Sequence, residues 1–176
     1  MPGPQYAAAF AEPHHGHNLS SLPYGPRPLY LAGGAKPLWA RALARRRAVY
    51  VGYNTVRAPS PPTLRSIERL VRAPSTRRVI VDVRLNGGGD NTTYGALTAL
   101  LGSPAVDRRG KLYLLVGRAT FSAAANFSTE IEQKTQAIFV GEAPGGGLNF
   151  WNDVTWEHLD DYVVPMRVAI SVRYWQ

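Results

Sequence analysis

Residues 79–89 read Val79-Ile80-Val81-Asp82-Val83-Arg84-Leu85-Asn86-Gly87-Gly88-Gly89, an apolar run that passes into a triple glycine. The apolar run predicts a β-strand that is buried on both faces. Glycines lack a Cβ atom, so the backbone N–H groups of this loop can approach a ligand closely and point at an anion. Taken alone, however, the pattern favours a plain strand-to-helix turn.

Strand-like and helix-like segments alternate on both sides of this stretch. Residues 48–53, 111–116 and 137–140 are typical of strands, and residues 162–174 indicate one or two closing strands. Apolar spacing predicts three helices: one capped by Thr63, one that contains Tyr94, Leu97 and Leu101, and one that begins near Ser122 and ends at about Lys134. Strands that alternate with helices imply an α/β domain with a largely parallel central sheet.

Ser122 is predicted to lie where a strand and a turn lead into the third helix. The N-terminus of a helix has unpaired N–H groups and a partial positive charge. A serine at this position is most often a simple helix cap. It can also be a nucleophile whose developing oxyanion accepts a hydrogen bond from the next N–H group, here that of Ala123. The residues alone favour the cap and leave the nucleophile open.

The composition limits the class of protein. The chain has 176 residues, 45% of them apolar, which fits one globular domain with a short appendage. The absence of cysteine excludes disulfides, thiolate metal sites and a cysteine nucleophile. The net charge is +8, and 17 of the 20 cations are arginines, which suits an anionic partner. Because these cations are spread along the chain and no nucleic-acid-binding motif accompanies them, we do not expect nucleic-acid binding.

The N-terminal segment differs from the rest of the chain. Residues 1–28 are rich in Pro, Gly, His and Ala, which predicts a flexible or surface arm before a core domain at 29–176. Histidines in such an arm, here His14, His15 and His17, are more often solvated than bound to a metal. The sequence shows neither a signal peptide nor the 18 to 20 apolar residues of a membrane helix, and it leaves the compartment unassigned.

Four motifs in their order along the chain resemble the catalytic core of the carboxy-terminal processing peptidases, also called tail-specific proteases. Relatives of these enzymes include the tricorn core and the repeat modules of interphotoreceptor retinoid-binding protein. The resemblance implies a ClpP/crotonase-like spiral of ββα units, serine peptidase activity on a peptide or protein substrate, and no cofactor or metal. It covers roughly residues 48–150 and the closing residues 172–175, and its motifs are the stretch 79–89, Gly110 to Val116, Thr120 to Ala124, and Val140-Gly141-Glu142 with the glycine loop that follows.

The resemblance also implies roles for individual residues. Ser122 matches the nucleophile of the family, and the backbone N–H of Ala123 matches one oxyanion donor. An N–H of the triple glycine, most specifically that of Gly88, matches the other donor. Asp82 and Arg84 match an acid–base pair after the first core strand, and because residues i and i+2 of a strand share a face, we expect this pair to be structural.

The sequence departs from the best-known branch of the family at the general base. The lysine of that branch corresponds to Gly147 here, so the serine–lysine dyad is absent. The tricorn branch uses a histidine from the first core strand, where this chain has Tyr53 and Asn54. This arrangement is most similar to a set of bacterial relatives that lack the lysine. Asn54 is one candidate for the base.

Two further candidates for the base come from the C-terminal half of the chain. His158 lies in the polar run 153–161, and a histidine with a pKa near neutrality suits the role, although a solvated loop histidine is the more common interpretation. Glu142 follows a strand and is expected to anchor the glycine loop. A serine without a base is a weak nucleophile.

The sequence leaves three functions open. Enzymes of the family usually carry a PDZ domain that captures the C-terminus of the substrate, and residues 29–47 leave no room for one. Either a partner domain or an oligomer supplies substrate capture, or the chain is a fragment of a longer protein, or it is not a working peptidase. The first hypothesis is a serine peptidase that uses Ser122. The second is a weakly active or inactive binding module on the same scaffold, and the third is a basic interaction protein unrelated to hydrolysis.

Overall fold

The computed structural model describes residues 28–145 and the backbone of residues 151–159 and 166–173. The chain divides into two units, residues 1–145 and residues 146–176. The predicted arm, including its three histidines, lies outside the described residues except for Pro28. Among the helices that the structure describes, none has the length and apolar character needed to cross a bilayer.

The described part of the first unit is built on a five-stranded mixed sheet with three α-helices. The strands follow one another across the sheet in chain order; β1 is antiparallel to β2, and all later neighbours are parallel. The strands are β1 (Leu38–Leu43), β2 (Ala48–Tyr53), β3 (Arg78–Asp82), β4 (Leu112–Val116) and β5 (Ile138–Gly141). The helices are α1 (Pro61–Arg72), α2 (Gly95–Leu101) and α3 (Ala123–Lys134), and short 3-10 turns occupy Leu29–Leu31 and Ala44–Arg46. The α/β class and the largely parallel sheet are confirmed.

All three helices pack on the same face of this sheet. Crossovers between parallel strands are right-handed, so a sheet that adds strands in one direction places every connecting helix on one side. Accordingly, one apolar cluster joins the inward side chains of β2, β3 and β4 to the buried sides of the helices, among them Ile67, Leu97 and Phe127. The described unit therefore has two layers.

The prediction that residues 79–83 are buried on both faces holds only in part, because Asp82 is buried but Ile80, on the same face, is not fully so. Val79 and Val81 are fully buried, but Ile80 between them is only half-buried. Residues 112–116 alternate in the same way between buried and half-buried positions. An apolar run predicts that a strand is buried, but it does not show how many of its faces are covered. Here the helices cover one face.

Helix α1 begins earlier than the sequence predicts. Ser60 is the N-cap, and its Oγ accepts the Thr63 N–H at 3.4 Å. Pro61 and Pro62 form the first turn, where a missing N–H carries no penalty. Thr63 is thus the third residue of the helix rather than its cap.

The second unit contains a two-stranded antiparallel ribbon of β6 (Trp151–Leu159) and β7 (Met166–Arg173). A register shift between Asn152 and Val154 interrupts the pairing. Of the predicted closing strands, one is present as β7. The polar run that contains His158 was expected to be a loop, but residues up to Leu159 pair as a strand.

Candidate functional site

The candidate site lies at the edge where the parallel strands end. Asn54 directly follows β2, the triple glycine follows β3, and Ser122 follows β4. Because these strands are neighbours and parallel, their carboxyl ends meet at one edge, which is where α/β sheets usually bind ligands.

Ser122 has an unusual backbone conformation. Its φ is 53° and its ψ is −128° as it leads into α3, a region that non-glycine residues rarely occupy and that costs about 1–3 kcal/mol. Ser122 is the N-cap residue of α3 by position, but its side chain makes no capping hydrogen bond. Its carbonyl oxygen accepts the N–H groups of Ala125 at 2.8 Å and Asn126 at 3.1 Å. The serine thus lies on a strained turn between strand and helix, the geometry that exposes a nucleophilic hydroxyl in other hydrolases.

The triple glycine packs directly against this turn. A Cβ atom at Gly88 would lie 2.7 Å from the Ser122 Cβ and 3.1 Å from the Ala123 nitrogen, and the φ of Gly88 is +113°. A Cβ atom at Gly89 would lie 2.0 Å from the carbonyl oxygen of Val56. Only glycine fits at these two positions. The loop is therefore in contact with Ser122 and with the start of α3.

Asn86 connects the three chain segments of the site. Its side chain is fully buried; Nδ2 donates to the Tyr53 carbonyl at 2.9 Å, and Oδ1 accepts the Gly88 N–H at 2.9 Å. Its carbonyl oxygen accepts the N–H of Phe121 at 3.0 Å. Sequence reasoning missed this role, although an asparagine just before glycines is a usual turn residue whose side chain bonds the backbone two residues on.

The backbone donors near Ser122 differ in their partners. The Ala123 N–H is the first of α3 and is buried, and it donates no hydrogen bond to another described residue. The Gly88 N–H is already bonded to Asn86. Val56 forms an isolated β-bridge with the glycine loop: its N–H donates to the Gly88 carbonyl, and its carbonyl accepts the Asp90 N–H. The Gly89 N–H takes no part in this bridge. An anion at Ser122 would meet the Ala123 donor without displacing a described bond.

Thr120 fixes the turn that precedes Ser122. It is fully buried, and its Oγ1 donates to the Val83 carbonyl at 2.8 Å and accepts the Gly117 N–H at 3.1 Å. The turn after β4 is thereby attached to the end of β3. One turn into α3, Asn126 Nδ2 donates to Asn91 Oδ1 at 2.8 Å, which ties the helix to the segment after the triple glycine.

Asp82 and Arg84 form a close ion pair. Arg84 Nη2 lies 2.6 Å from Asp82 Oδ2, and the Arg84 Nε contacts both carboxylate oxygens. The Tyr50 hydroxyl donates to Asp82 at 2.6 Å, and the Tyr30 ring lies 5.2 Å from the Arg84 guanidinium. The hydrogen bond to Asp82 raises the pKa of Arg84, and burial, then the bond to Asp82, raises that of Tyr50. These contacts are those of a structural pair, and none joins it to Ser122.

The candidate bases are not in described contact with Ser122. Asn54 Nδ2 donates to the Lys36 carbonyl at 3.0 Å. Tyr53 is buried, its hydroxyl has no partner within residues 28–145, and burial raises its pKa well above the ordinary value, so it does not suit a base at neutral pH. His158 belongs to β6, of which the structure describes only the backbone.

The beginning of the second glycine loop lies against the turn before Ser122. Glu142 Oε2 pairs with Arg118 Nε at 2.8 Å, and both side chains are largely exposed. A Cβ atom at Gly145 would lie 2.0 Å from the Arg118 carbonyl oxygen. Glu142 thus anchors the loop, as expected, through an exposed pair. Gly147, at the position of the family lysine, lies outside the described residues.

Comparison with solved structures supports the resemblance at the level of the fold. A candidate peptidase from Parabacteroides merdae superposes with a TM-score of 0.52 at 18% identity, over 66% of this chain and 47% of that one. The photosystem II D1 C-terminal processing protease superposes with a TM-score of 0.50 at 17% identity, over 79% of this chain and 43% of that one. The fold is therefore similar to that of a C-terminal processing protease.

These comparisons extend over part of the neighbours only. The matched region is less than half the length of either solved structure. No protein-family model matches the sequence, and the search of curated proteins gives no match. At this level of identity the likeness establishes the fold, and the chemistry must be argued from the site.

Proposed function

We propose that this chain is the catalytic core of a serine-type peptidase of the C-terminal processing kind, with Ser122 as the nucleophile and a peptide or protein as the substrate. The observation that carries the proposal is the positive φ of Ser122 at the start of α3, with Gly88 packed against it. A capping serine needs neither feature. A backbone outlier held in place by buried contacts is a recognised mark of a functional site.

The proposed reaction is acyl transfer to Ser122. Its Oγ would attack the scissile carbonyl carbon, the amine would leave, and water would then hydrolyse the acyl-enzyme. The Ala123 N–H supports this as a donor to the oxyanion. Gly88 stays the proposed second donor, and its N–H must then be shared with, or released from, Asn86 Oδ1.

The base is the least defined part of the proposal. His158 remains a candidate because its ring can accept a proton near neutral pH. Asn54 has an amide side chain, which does not accept a proton in this range, so its role would be to orient a group or a water. We also propose the wider ClpP/crotonase-like spiral, the arm at 1–28 before the core at 29–176, and substrate capture by a partner domain or an oligomer.

A binding module on the same scaffold is the second candidate. Two observations favour it: the Gly88 N–H is engaged by Asn86, and Asn54 is engaged by a backbone carbonyl. A site without a base and with one open donor would bind an acyl group or a carboxylate without turning it over.

Labelling with a serine-directed fluorophosphonate separates the two candidates. We expect slow labelling of the wild type and none of Ser122→Ala, because backbone donors alone leave roughly 1,000-fold catalysis over water when activation of the nucleophile is poor. Ser66→Ala is the control, since Ser66 is an exposed serine on α1. Peptide turnover by the isolated chain should be slow, because the lysine is absent.

Three results would change this assignment. Equal labelling of the wild type and Ser122→Ala would exclude Ser122 as the nucleophile. No labelling of a folded wild type at any pH would favour the binding module. Fast peptide hydrolysis would show that an efficient base is present, and His158→Gln would then test whether it is His158.

A further inference from the structure

Eight cations that are far apart in sequence lie together at the amino-terminal edge of the parallel sheet, opposite the candidate site. Each group lies at or just before the start of a strand: the first at β2, the second at β3 and the third at β4. We call this surface the basic edge; its members are Arg45, Arg46, Arg47, Arg77, Arg78, Arg108, Arg109 and Lys111.

Backbone hydrogen bonds hold the three groups side by side. The Arg47 carbonyl accepts the N–H groups of Arg77 at 2.7 Å and Arg78 at 3.2 Å, and the Lys111 carbonyl accepts the Val79 N–H at 2.7 Å. Burial, and then the charges of Arg108 and Arg77, lower the pKa of Lys111. Since adjacent strands are about 4.8 Å apart, the basic edge is about 10 Å wide from β2 to β4.

The charge of this edge is largely uncompensated. Its seven arginines are exposed, and none forms an ion pair within residues 28–145. Arg47 and Arg108 donate from Nε only to backbone carbonyls.

The described carboxylates at the same edge form no ion pair with these cations. Asp107 accepts the Gln136 N–H at 2.7 Å, and Glu130 pairs with Lys134. Glu132, in the last turn of α3, is the remaining acid of that helix end. Cations that lie close together repel one another and lower the stability of the folded protein. An anionic partner that binds them offsets this repulsion.

We propose that the basic edge is an exosite that binds an acidic segment of the protein substrate; the proposal rests on the peptidase function proposed above. Guanidinium groups bind carboxylates through paired N–H donors. The described basic edge presents loops with no aromatic side chain among its cations, so it lacks the stacking platform that single-stranded nucleic acids use. Of the exposed large apolar residues in the described part of the chain, Ile138, which pairs in register with Tyr113, lies at this end of the sheet, whereas Phe121 and Val140 lie toward the other end. A single isoleucine is a weak anchor for insertion into a membrane.

The position of the edge defines which substrates would use it. Strand β4 has five residues and separates the two edges by about 17 Å at 3.3–3.4 Å per residue. An extended chain needs at least about five residues to cover that distance. The acidic segment should therefore be separated from the scissile bond by at least about five residues, and shorter peptides should be insensitive to the edge.

Peptide binding to Ser122→Ala tests the exosite without turnover. The probes are a fluorescent peptide with a glutamate-rich half and the same peptide with glutamine in place of glutamate. We expect the acidic peptide to bind more tightly and its affinity to fall with salt. Arg46→Gln/Arg77→Gln should weaken its binding about fivefold to tenfold, as expected for two exposed ion pairs. Lys36→Gln/Arg65→Gln, with the same change of net charge at exposed positions outside the edge, should have little effect.

The outcomes separate this proposal from the proposed function. Equal binding of the two peptides, or equal loss in both double variants, overturns the exosite. Tighter binding of duplex DNA, or of phosphatidylserine–phosphatidylcholine vesicles, with the same dependence on Arg46 and Arg77 overturns the choice of an acidic polypeptide. Fluorophosphonate labelling of Ser122 should be the same in the Arg46→Gln/Arg77→Gln protein as in the wild type. If Ser122 is not labelled in either protein while the acidic peptide binds, the peptidase fails and the edge is a binding surface only.

Discussion

At Ser122 the chain holds a conformation that it would not adopt alone. A positive φ costs a non-glycine residue about 1–3 kcal/mol, and hydrogen bonds before and after Ser122 hold the residue in this conformation. Before the serine, the Phe121 N–H donates to Asn86, and after it, the Ser122 carbonyl receives the first hydrogen bonds of α3. The positions of Ser122 and Gly88 are thus coupled through Asn86.

Gly88→Ala should disrupt the site far more than Gly87→Ala. At Gly88 the new Cβ would meet Ser122 and the Ala123 nitrogen, and the φ of +113° is unfavourable for alanine. At Gly87 a Cβ would have no neighbour within 4 Å and the φ is not in the positive range. We expect Gly88→Ala to lower the free energy of unfolding by about 1–3 kcal/mol or more and to abolish labelling of Ser122.

Chemical denaturation and fluorophosphonate labelling measure these two effects. Gly87→Ala should keep both stability and labelling close to the wild type. Equal behaviour of the two variants would show that the loop does not contact Ser122 as described, and that the oxyanion site lies elsewhere.

The sequence predicts which residues lie at this site but not how they are held. The strand–turn–helix junction makes Ser122 and the Ala123 N–H candidates, whereas Gly88 follows only from the resemblance to the peptidase family. The strain at Ser122 and the bonds of Asn86 depend on the distance between β2, β3 and α3 in space. A distance in space cannot be predicted from a local sequence pattern, so the strain at Ser122 and the hydrogen bonds of Asn86 were both missed.

The turn between β4 and α3 owes its shape to one buried threonine. The Thr120 hydroxyl is both donor and acceptor, to the Val83 carbonyl and from the Gly117 N–H. The residue links two neighbouring strand ends and sets the approach of the chain to Ser122. A turn held in this way keeps the start of α3 beside the triple glycine.

Thr120→Val should therefore destabilise the protein, and Thr120→Ser should not do so to the same extent. Valine matches the shape of threonine but leaves the buried Gly117 N–H without a partner, at about 1–3 kcal/mol. The Val83 carbonyl loses one of two hydrogen bonds, because it also accepts the Asn86 N–H at 3.0 Å. Serine keeps the hydroxyl and loses one methyl group. Denaturation midpoints with unchanged m-values give the difference, and similar midpoints for both variants would mean that the methyl group matters more than the hydrogen bonds.

Helices and strands that have a local sequence pattern could be predicted, and a strand that depends on pairing with a distant segment could not. Strands β2, β3 and β4 and the three helices were placed to within a few residues, because apolar runs and helical spacing mark them. Strand β1, with the sequence Leu-Trp-Ala-Arg-Ala-Leu, has no strict alternation and was missed. Its stability comes from its pairing with β2, which a reading along the chain does not reveal.

At the scale of the described unit, the order of the strands places the helices and the main apolar cluster on one face of the sheet, while the other face is buried only locally, as at Trp39 and Tyr50. Right-handed crossovers place all three helices on the same side. Along β4, Leu112, Leu114 and Val116 face the helices and are buried, whereas Tyr113 and Leu115 are half-buried. On the neighbouring β5, Ile138 and Val140 are exposed. Most of the apolar stabilisation of the described unit should therefore come from one face of the sheet.

Leu114 and Leu115, adjacent on β4, provide a matched test of this asymmetry. Leu114 is fully buried in the core cluster, so Leu114→Ala should lower the free energy of unfolding by about 2–5 kcal/mol, the cost of lost transfer energy and of a cavity. Leu115 pairs in register with Asp82 and Val140 on the opposite face and keeps part of its surface in water, so Leu115→Ala should cost about 1 kcal/mol. Urea denaturation of both variants measures the two losses at equal chemical change. Equal losses would show that the second face of the sheet is packed as tightly as the first, and the unit would then have a third layer.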